Sequence, residues 1–110
     1  MPFHKFKDID SRELFPGFHG RVIHGEQMTV IYWEIESGAV LPEHSHPEEQ
    51  ISTILSGKFE MTIAGETRQL ETKEIAVVPS NAVHSGRALS ACTILDAFYP
   101  SRKQISKLEK

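Results

Sequence analysis

The stretch GAVLPEHSHPEEQISTILSG, residues 38–57, holds two histidines from which the interpretation of this chain starts. His44 and His46 are two positions apart, and side chains two apart on a strand point to the same face, so both imidazoles can converge on one ion. A His-x-His pair alone is common by chance. Gln50 follows at the same parity across Pro47 and can present an amide oxygen to the same interior. This stretch is therefore a candidate metal site.

Short runs rich in Val, Ile, Thr and aromatic residues lie on both sides of this stretch, separated by Gly, Pro, Asn and Ser. This composition predicts strands. In the run 29–36, Ile31, Trp33 and Ile35 share one face because side chains alternate along a strand. The other predicted strands are a hairpin of residues 58–63 and 66–70, an apolar run at 74–78 that ends in a turn at 79–81, and a strand at 93–99.

The size and composition of the chain allow one folded domain. Its 110 residues, 39% hydrophobic and 25% charged, can build one core without disulfides, and they argue against disorder or a coiled coil. Seven or eight short strands in one domain predict an all-β sandwich or barrel. The net charge of −3, without a basic block or a long apolar run, makes nucleic acid and membranes poor candidates as partners.

Cysteine usage and the first residues indicate the compartment. The single Cys92 cannot form an intrachain disulfide, and we expect it to be a small core residue. The beginning, MPFHKFKD, lacks the apolar run of a secretory signal. We therefore expect a cytoplasmic protein.

Three regions are predicted along the chain. Residues 1–17 form an N-terminal arm and residues 18–100 form the barrel. Residues 101–110 form a tail or a short amphipathic C-terminal helix with Ile105 and Leu108 on one side.

The N-terminal arm also predicts the oligomeric state. Four phenylalanines lie between Phe3 and Phe18 without an evident strand partner in their own sheet. A second subunit could cover both these side chains and the edge strands of a small barrel. We therefore expect a homodimer with the arm at the dimer contact.

The histidines fall into two groups. His4, His19 and His24 lie in polar surroundings without partners at ligand spacing, so we expect surface or loop positions for them. His44 and His46 are the pair introduced above. The sixth histidine, His84, is assigned a role only by the family resemblance described next.

The spacing around the histidine pair resembles the first conserved motif of the cupins. Gly38 is followed after five residues by His44, then His46, after three residues by Gln50, and after six residues by Gly57. Gln50 stands where that motif usually has Glu. The resemblance implies a single-domain antiparallel jelly-roll barrel that holds one metal ion in its interior.

The second cupin motif resembles the segment around Pro79, Asn81 and His84. Lys73 stands where this motif generally begins with Gly, and we expect its turn to be built in right-handed backbone space. Asn81 stands at the later Gly, and Asn is the other residue that best tolerates a left-handed turn.

Three segments narrow the resemblance to the KdgF family of small cupins: HSHPEEQI at 44–51, LSGKFE at 55–60 and LDAFYPSR at 95–102. Those proteins linearise the 4,5-unsaturated uronate monosaccharides that remain after pectate or alginate lyases have acted. The resemblance implies four metal ligands, which are His44, His46, Gln50 and His84. It also implies three catalytic residues, which are Asp96, Phe98 and Arg102.

The residues themselves support part of this assignment. Ile94, Asp96 and Phe98 share a strand face, and if that face lines the barrel, a carboxyl lies among apolar neighbours, where its pKa rises toward the range of a general acid or base. Alternatively, Asp96 points outward or forms an ion pair with Arg87 or Arg102. Arg102 is either a clamp for a substrate carboxylate or one more solvated charge.

The resemblance thus implies a metal-dependent enzyme that opens an unsaturated uronate to a linear keto sugar acid. The ion would be one divalent cation per subunit, Ni, Zn, Mn or Fe, because such sites accept several metals. Three imidazoles and a neutral amide leave its charge uncompensated, which favours a small carboxylated sugar as substrate. Two alternatives are a cupin Fe(II) dioxygenase or isomerase acting on another metabolite, and a non-catalytic cupin that binds a sugar or metabolite.

Overall fold

The computed structural model describes residues 2–102 and residue 105. Ten antiparallel strands, arranged in two sheets, account for most of these residues. A single 3-10 turn, Phe6–Asp8, precedes them. The strands are β1 (Arg12–Phe15), β2 (Phe18–His24), β3 (Thr29–Ile35), β4 (Val40–His44), β5 (Glu49–Ser56), β6 (Phe59–Ile63), β7 (Glu66–Leu70), β8 (Ile75–Val78), β9 (His84–Ala88) and β10 (Cys92–Tyr99).

The strand order is that of a jelly roll. One sheet has the order β1-β2-β3-β10-β5-β8 and the other has the order β4-β9-β6-β7, so the chain crosses repeatedly between sheets. The last strand, β10, lies between β3 and β5 in the first sheet. The predicted all-β barrel is confirmed.

The core lies between the two sheets and follows the alternation read from the sequence. Ile31, Trp33 and Ile35 of β3 are buried, as are Phe59 and Met61 of β6 in the other sheet. Removing one such large apolar side chain from water contributes about 2 kcal/mol, which holds the sheets together.

The predicted hairpin forms with the register that its turn requires. Ile63 of β6 pairs with Glu66 of β7, and only Ala64 and Gly65 lie between them. Both turn residues have positive φ, 49° and 87°. A two-residue turn of this kind matches the twist of the strands it joins.

The N-terminal segment differs from the expectation. Strand β1 pairs with β2, Glu13 opposite His19, so the segment between Phe3 and Phe18 does have a strand partner in its own sheet. Phe18 is buried in the core, whereas Phe3 and Phe6 are exposed. The six-stranded sheet therefore begins inside the arm predicted for residues 1–17.

The turn before β8 also differs. Lys73 has φ of 72°, so the expectation of a right-handed conformation there is wrong. Its N–H donates to the carbonyl of Ile54 at 2.8 Å, and this bond ties the turn to β5. The turn therefore holds a left-handed residue that costs about 1 kcal/mol relative to glycine. Asn81, with φ of 65°, adopts the expected left-handed turn.

The end of the chain is described only in part. The helix predicted for residues 101–110 lies mostly outside the described residues, and Leu108 is among those not described. Ile105 is fully buried, and its N–H donates to the carbonyl of Arg102 at 3.0 Å. Across the described ranges, the chain has no helix with the length and apolar character needed to span a membrane.

Candidate metal centre and adjacent acid

Three histidines converge inside the barrel from two strands and a loop. His44 ends β4 and lies opposite His84, the first residue of β9. His46 lies in the loop beyond β4, so the expectation that the pair shares one strand is wrong, although the two rings do meet. The nearest ring nitrogens of the three side chains all lie within 4.8 Å of one another.

Each imidazole is oriented by its own backbone neighbourhood. Nδ1 of every ring lies at hydrogen-bond distance from a backbone carbonyl two residues away, and a carbonyl can only accept, so Nδ1 carries the proton. The acceptors are Pro42 for His44 at 2.9 Å, Glu48 for His46 at 3.0 Å and Ala82 for His84 at 2.9 Å. Each Nε2 is therefore left with a lone pair, the form in which histidine ligates metal.

Burial keeps two of these rings neutral. It lowers the pKa of His84 to about 4, and it also lowers the pKa of His46. Nε2 of His84 is buried without a hydrogen-bond partner among the described residues. A buried lone pair without a partner is costly unless it binds a ligand.

Gln50 completes the cluster from β5. Its Oε1 lies 3.1 Å from Nε2 of His46, and both atoms are acceptors because the His46 proton is on Nδ1. Two facing lone pairs repel unless a cation lies beside them. With three imidazole nitrogens and an amide oxygen, the donor set fits a first-row divalent ion.

Asp96 lies on β10 with both carboxyl oxygens occupied. Oδ1 accepts from the Ser52 hydroxyl at 2.5 Å, and Oδ2 accepts from the Trp33 indole at 2.9 Å. The side chain is buried, 7% exposed, and desolvation raises its pKa to about 6, although these hydrogen bonds and Arg102 act in the opposite direction. Asp96 therefore faces the barrel interior, not solvent.

The two arginines considered as ion-pair partners of Asp96, Arg87 and Arg102, lie closest to glutamates instead. Arg87 binds Glu60 at 2.9 Å on the opposite sheet. The guanidinium of Arg102 lies nearest to Glu48, with 3.7 Å between Nε and Oε1, and burial lowers its pKa. Asp96 is therefore held by neutral donors.

Arg102 and Phe98 lie side by side at the same cavity. The guanidinium carbon of Arg102 is 5.0 Å from the Phe98 ring centroid, and the Phe98 ring meets that of His46 edge to face at 5.8 Å. Arg102 Nε and Glu48 Oε1 are buried without hydrogen-bond partners in the described part of the chain. The cavity brings together six of the predicted site residues, which are His44, Gln50, His84, Asp96, Phe98 and Arg102.

Residues 31–98 match the family model of the cupin domain, which is more than half of the chain. This protein is a cupin.

Relatives of known structure and sequence agree with this assignment. The cupin is 29% identical over 93 residues to the pectin degradation protein KdgF of Dickeya dadantii, a match that covers 82% of this chain and 84% of that protein. It is 26% identical to KdgF from a Halomonas species, with a TM-score of 0.88 over 96% of this chain and 98% of that one. An RmlC-like cupin from Shewanella frigidimarina, 18% identical, has the same fold, with a TM-score of 0.89 over 94% of this chain and 95% of that one. The resemblance to KdgF inferred from the sequence is confirmed.

Three residues of this cupin site escaped the sequence analysis. Ser52 and Trp33 hold the carboxyl of Asp96, and Glu48 lies beside Arg102. The alternation of side chains along β5 could have identified Ser52, because it lies two residues after Gln50 and therefore on the same face of the strand. Glu48 has the same parity, two residues before Gln50, and it is buried whereas Glu49 is exposed, so the same signal could have distinguished these two glutamates.

The remaining histidines and the cysteine lie away from the cupin cavity. His4 is exposed, and Nε2 of His19 lies 2.7 Å from a carboxylate oxygen of Glu36, the residue that follows β3. Cys92 is buried, and desolvation raises the pKa of its thiol to about 11, which confirms its prediction as a core residue.

Proposed function

We propose that this cupin is a metal-dependent enzyme that converts 4,5-unsaturated uronate monosaccharides to linear keto sugar acids. The observation that carries the proposal is the buried carboxyl of Asp96, which lines the same cavity as the histidine cluster. The likeness to a protein named for pectin degradation supports this substrate class.

His44, His46, Gln50 and His84 would hold the ion in this proposal. When bound, a divalent ion supplies a positive centre that polarises ligated oxygen atoms and lowers the pKa of water. Gln50 contributes no charge, so the cluster presents the full charge of the ion to an anionic sugar. The identity of the metal follows from availability, because this donor set accepts Ni, Zn, Mn or Fe.

Asp96 is the proton donor of the proposed reaction. Protonation of C4 of the enol ether is followed by addition of water at C5, and the resulting hemiketal opens to a 5-keto sugar acid. The sum is the addition of one water molecule, without oxidation or reduction. A pKa of about 6 leaves part of the Asp96 population protonated near neutrality, which suits a general acid that must regain its proton each cycle.

Arg102 and Phe98 would place the substrate. The planar guanidinium of Arg102 matches a carboxylate, and its Nε has no hydrogen-bond partner in the described residues, so it retains donor capacity. The ring of Phe98 forms an apolar wall beside it. A uronate carboxylate bound by Arg102 would fix which ring carbon faces Asp96.

The proposal is tested by following the absorbance of the conjugated double bond. Metal-loaded protein is mixed with unsaturated galacturonate and with the unsaturated monosaccharides produced by alginate lyases. We expect the signal to disappear with metal-loaded protein and to persist after chelation. Oxygen uptake measured in parallel distinguishes a dioxygenase, and an unchanged signal with every sugar contradicts the substrate assignment.

A further inference from the structure

Four buried side chains form one chain of hydrogen bonds from the metal ligands to the acid. The amide nitrogen of Gln50 donates to the Ser52 hydroxyl at 2.9 Å, and this hydroxyl donates to Asp96 Oδ1 at 2.5 Å. The Trp33 indole donates to the other oxygen, Oδ2, at 2.9 Å. The amide oxygen of Gln50 then faces Nε2 of His46.

The pairing of strands fixes the positions of these hydrogen-bonded side chains. Ser52 of β5 lies directly opposite Asp96 of β10, and Gln50 lies opposite Phe98 in the same ladder. Trp33 comes from β3, on the other side of β10. Ser52 is fully buried, so no water competes for its hydroxyl.

Counting protons determines the orientation of the amide. A serine hydroxyl has one proton, and when Asp96 is ionised its carboxylate can only accept, so Ser52 donates this proton to Asp96. The Ser52 oxygen can therefore only accept from Gln50, which requires that the amide nitrogen faces Ser52 and the amide oxygen faces the histidines. A glutamate at position 50 has no N–H, and it would compete with Asp96 for the single Ser52 proton.

We propose that Ser52 is a positioning residue that orients the Gln50 oxygen toward the metal and the Asp96 carboxyl toward the substrate at the same time. Gln50 stands where the first cupin motif usually has Glu. The hydrogen bond to Ser52 accounts for this difference, because an amide can donate to the Ser52 hydroxyl and a carboxylate cannot. The role in orienting Asp96 rests on the proposed function, whereas the role in orienting Gln50 does not.

The test uses Ser52→Ala, with Thr53→Ala as the matched control. Thr53 is the next residue of β5, and it lies outside the cavity on the other face of the strand. One readout is the affinity for Zn²⁺ or Ni²⁺, measured by competition with a chelator. We expect Ser52→Ala to bind the metal about 10-fold more weakly, the lower end of the effect of losing an outer-shell partner, and Thr53→Ala to bind it as the unsubstituted protein does.

A second readout is the indole N–H resonance of Trp33, the only tryptophan in the chain. This proton is donated to Asp96, so its chemical shift reports the ionisation of that carboxyl. Loss of the Ser52 hydrogen bond removes a donor that favours the charged form, and the titration midpoint should move upward by about one unit. If Ser52→Ala does not fold, Ser52→Cys, which nearly preserves side-chain size but donates only weakly through its thiol, should move the midpoint in the same direction.

The outcomes separate the inference from the proposed function. Unchanged metal affinity and an unchanged indole midpoint in Ser52→Ala overturn the positioning role, even if uronates are turned over. Weaker metal binding and a shifted midpoint support it, even if no uronate reacts, in which case only the proposed function fails. With an active protein, the pH profile of turnover should shift together with the indole midpoint.

Discussion

Trp33 and Asp96 are 63 positions apart in the chain, and a 2.9 Å hydrogen bond joins the indole nitrogen to a carboxyl oxygen. Trp33 itself packs in the core, where its ring meets that of Phe18 at 5.8 Å, edge to face. The acid is thus anchored to the hydrophobic core, and its direction is fixed before any ligand binds. Such preorganisation is what a positioned general acid requires.

Substitution of Asp96 by asparagine should separate chemistry from metal binding. Asp96→Asn retains the size of the side chain but cannot donate a proton as an acid, so we expect turnover of an unsaturated uronate to fall by about 100-fold or more. Metal content, measured by elemental analysis, should stay at the level of the unsubstituted protein. Asp10→Asn, at an exposed position, serves as the control. Equal turnover in both variants would show that Asp96 is not the proton donor, and a complete lack of turnover in the unsubstituted protein and both variants would identify the protein as a binder.

Metal removal should lower thermal stability through the histidine cluster. A ligand that binds only the folded state stabilises it by about 2.7 kcal/mol at 100 times its Kd. We expect a chelator to lower the Tm of the protein, measured by calorimetry. In His84→Ala the chelator should have almost no effect, because Nε2 of His84 lies in the cluster. His4→Ala, at an exposed histidine, should respond to the chelator as the unsubstituted protein does.

A homodimer remains the predicted oligomeric state. Strand β8 is an edge of the six-stranded sheet, and its side chains Ile75 and Val77 are 58% and 53% exposed. Exposed apolar side chains on an edge strand are typical of an interface. Light scattering should give twice the mass of the chain, and a monomeric mass would contradict the prediction.

The local pattern of the sequence was sufficient for much of the fold. Alternation in residues 29–36 and 58–63 identified strands and their buried faces, because burial on one side of a sheet imposes a period of two. The same pattern placed Asp96 on one face with Ile94 and Phe98, but it left open whether that face lines the barrel, as it does in the structure. The conformation of Lys73 could not be predicted, since it accompanies two backbone hydrogen bonds between the turn and Ile54, one from Lys73 and one to Glu74, which no local pattern encodes.

The sequence did not predict which distant strands pair or in which register they pair. Ser52 meets Asp96 because β5 and β10 pair in one register, and a shift by one residue would turn every side chain to the other face. No local feature encodes that register. The hydrogen bonds from Gln50 through Ser52 to Asp96 could therefore be identified only in the folded structure.

The stability of the protein should fall at alkaline pH through Cys92. Its thiol ionises near 9.0 when unfolded and near 11 when folded, because burial disfavours the thiolate. The unfolded chain therefore releases its proton first, and stability decreases as the pH rises from 9 toward 11, by up to about 3 kcal/mol. Chemical denaturation at several pH values should give a smaller decrease in Cys92→Ala, and equal decreases in both proteins would refute the assignment.

Two glycines of the first cupin motif should respond differently to alanine. Gly38 and Gly57 both have positive φ, 85° and 83°, so each Ala variant carries backbone strain of about 1 kcal/mol. A Cβ at Gly38 meets nothing within 4 Å, whereas a Cβ at Gly57 would lie 2.3 Å from the carbonyl oxygen of Ala91. We therefore expect Gly38→Ala to lower the free energy of unfolding by about 1 kcal/mol and Gly57→Ala by several times more, measured by urea denaturation. Similar losses in the two variants would show that the contact with Ala91 relaxes easily.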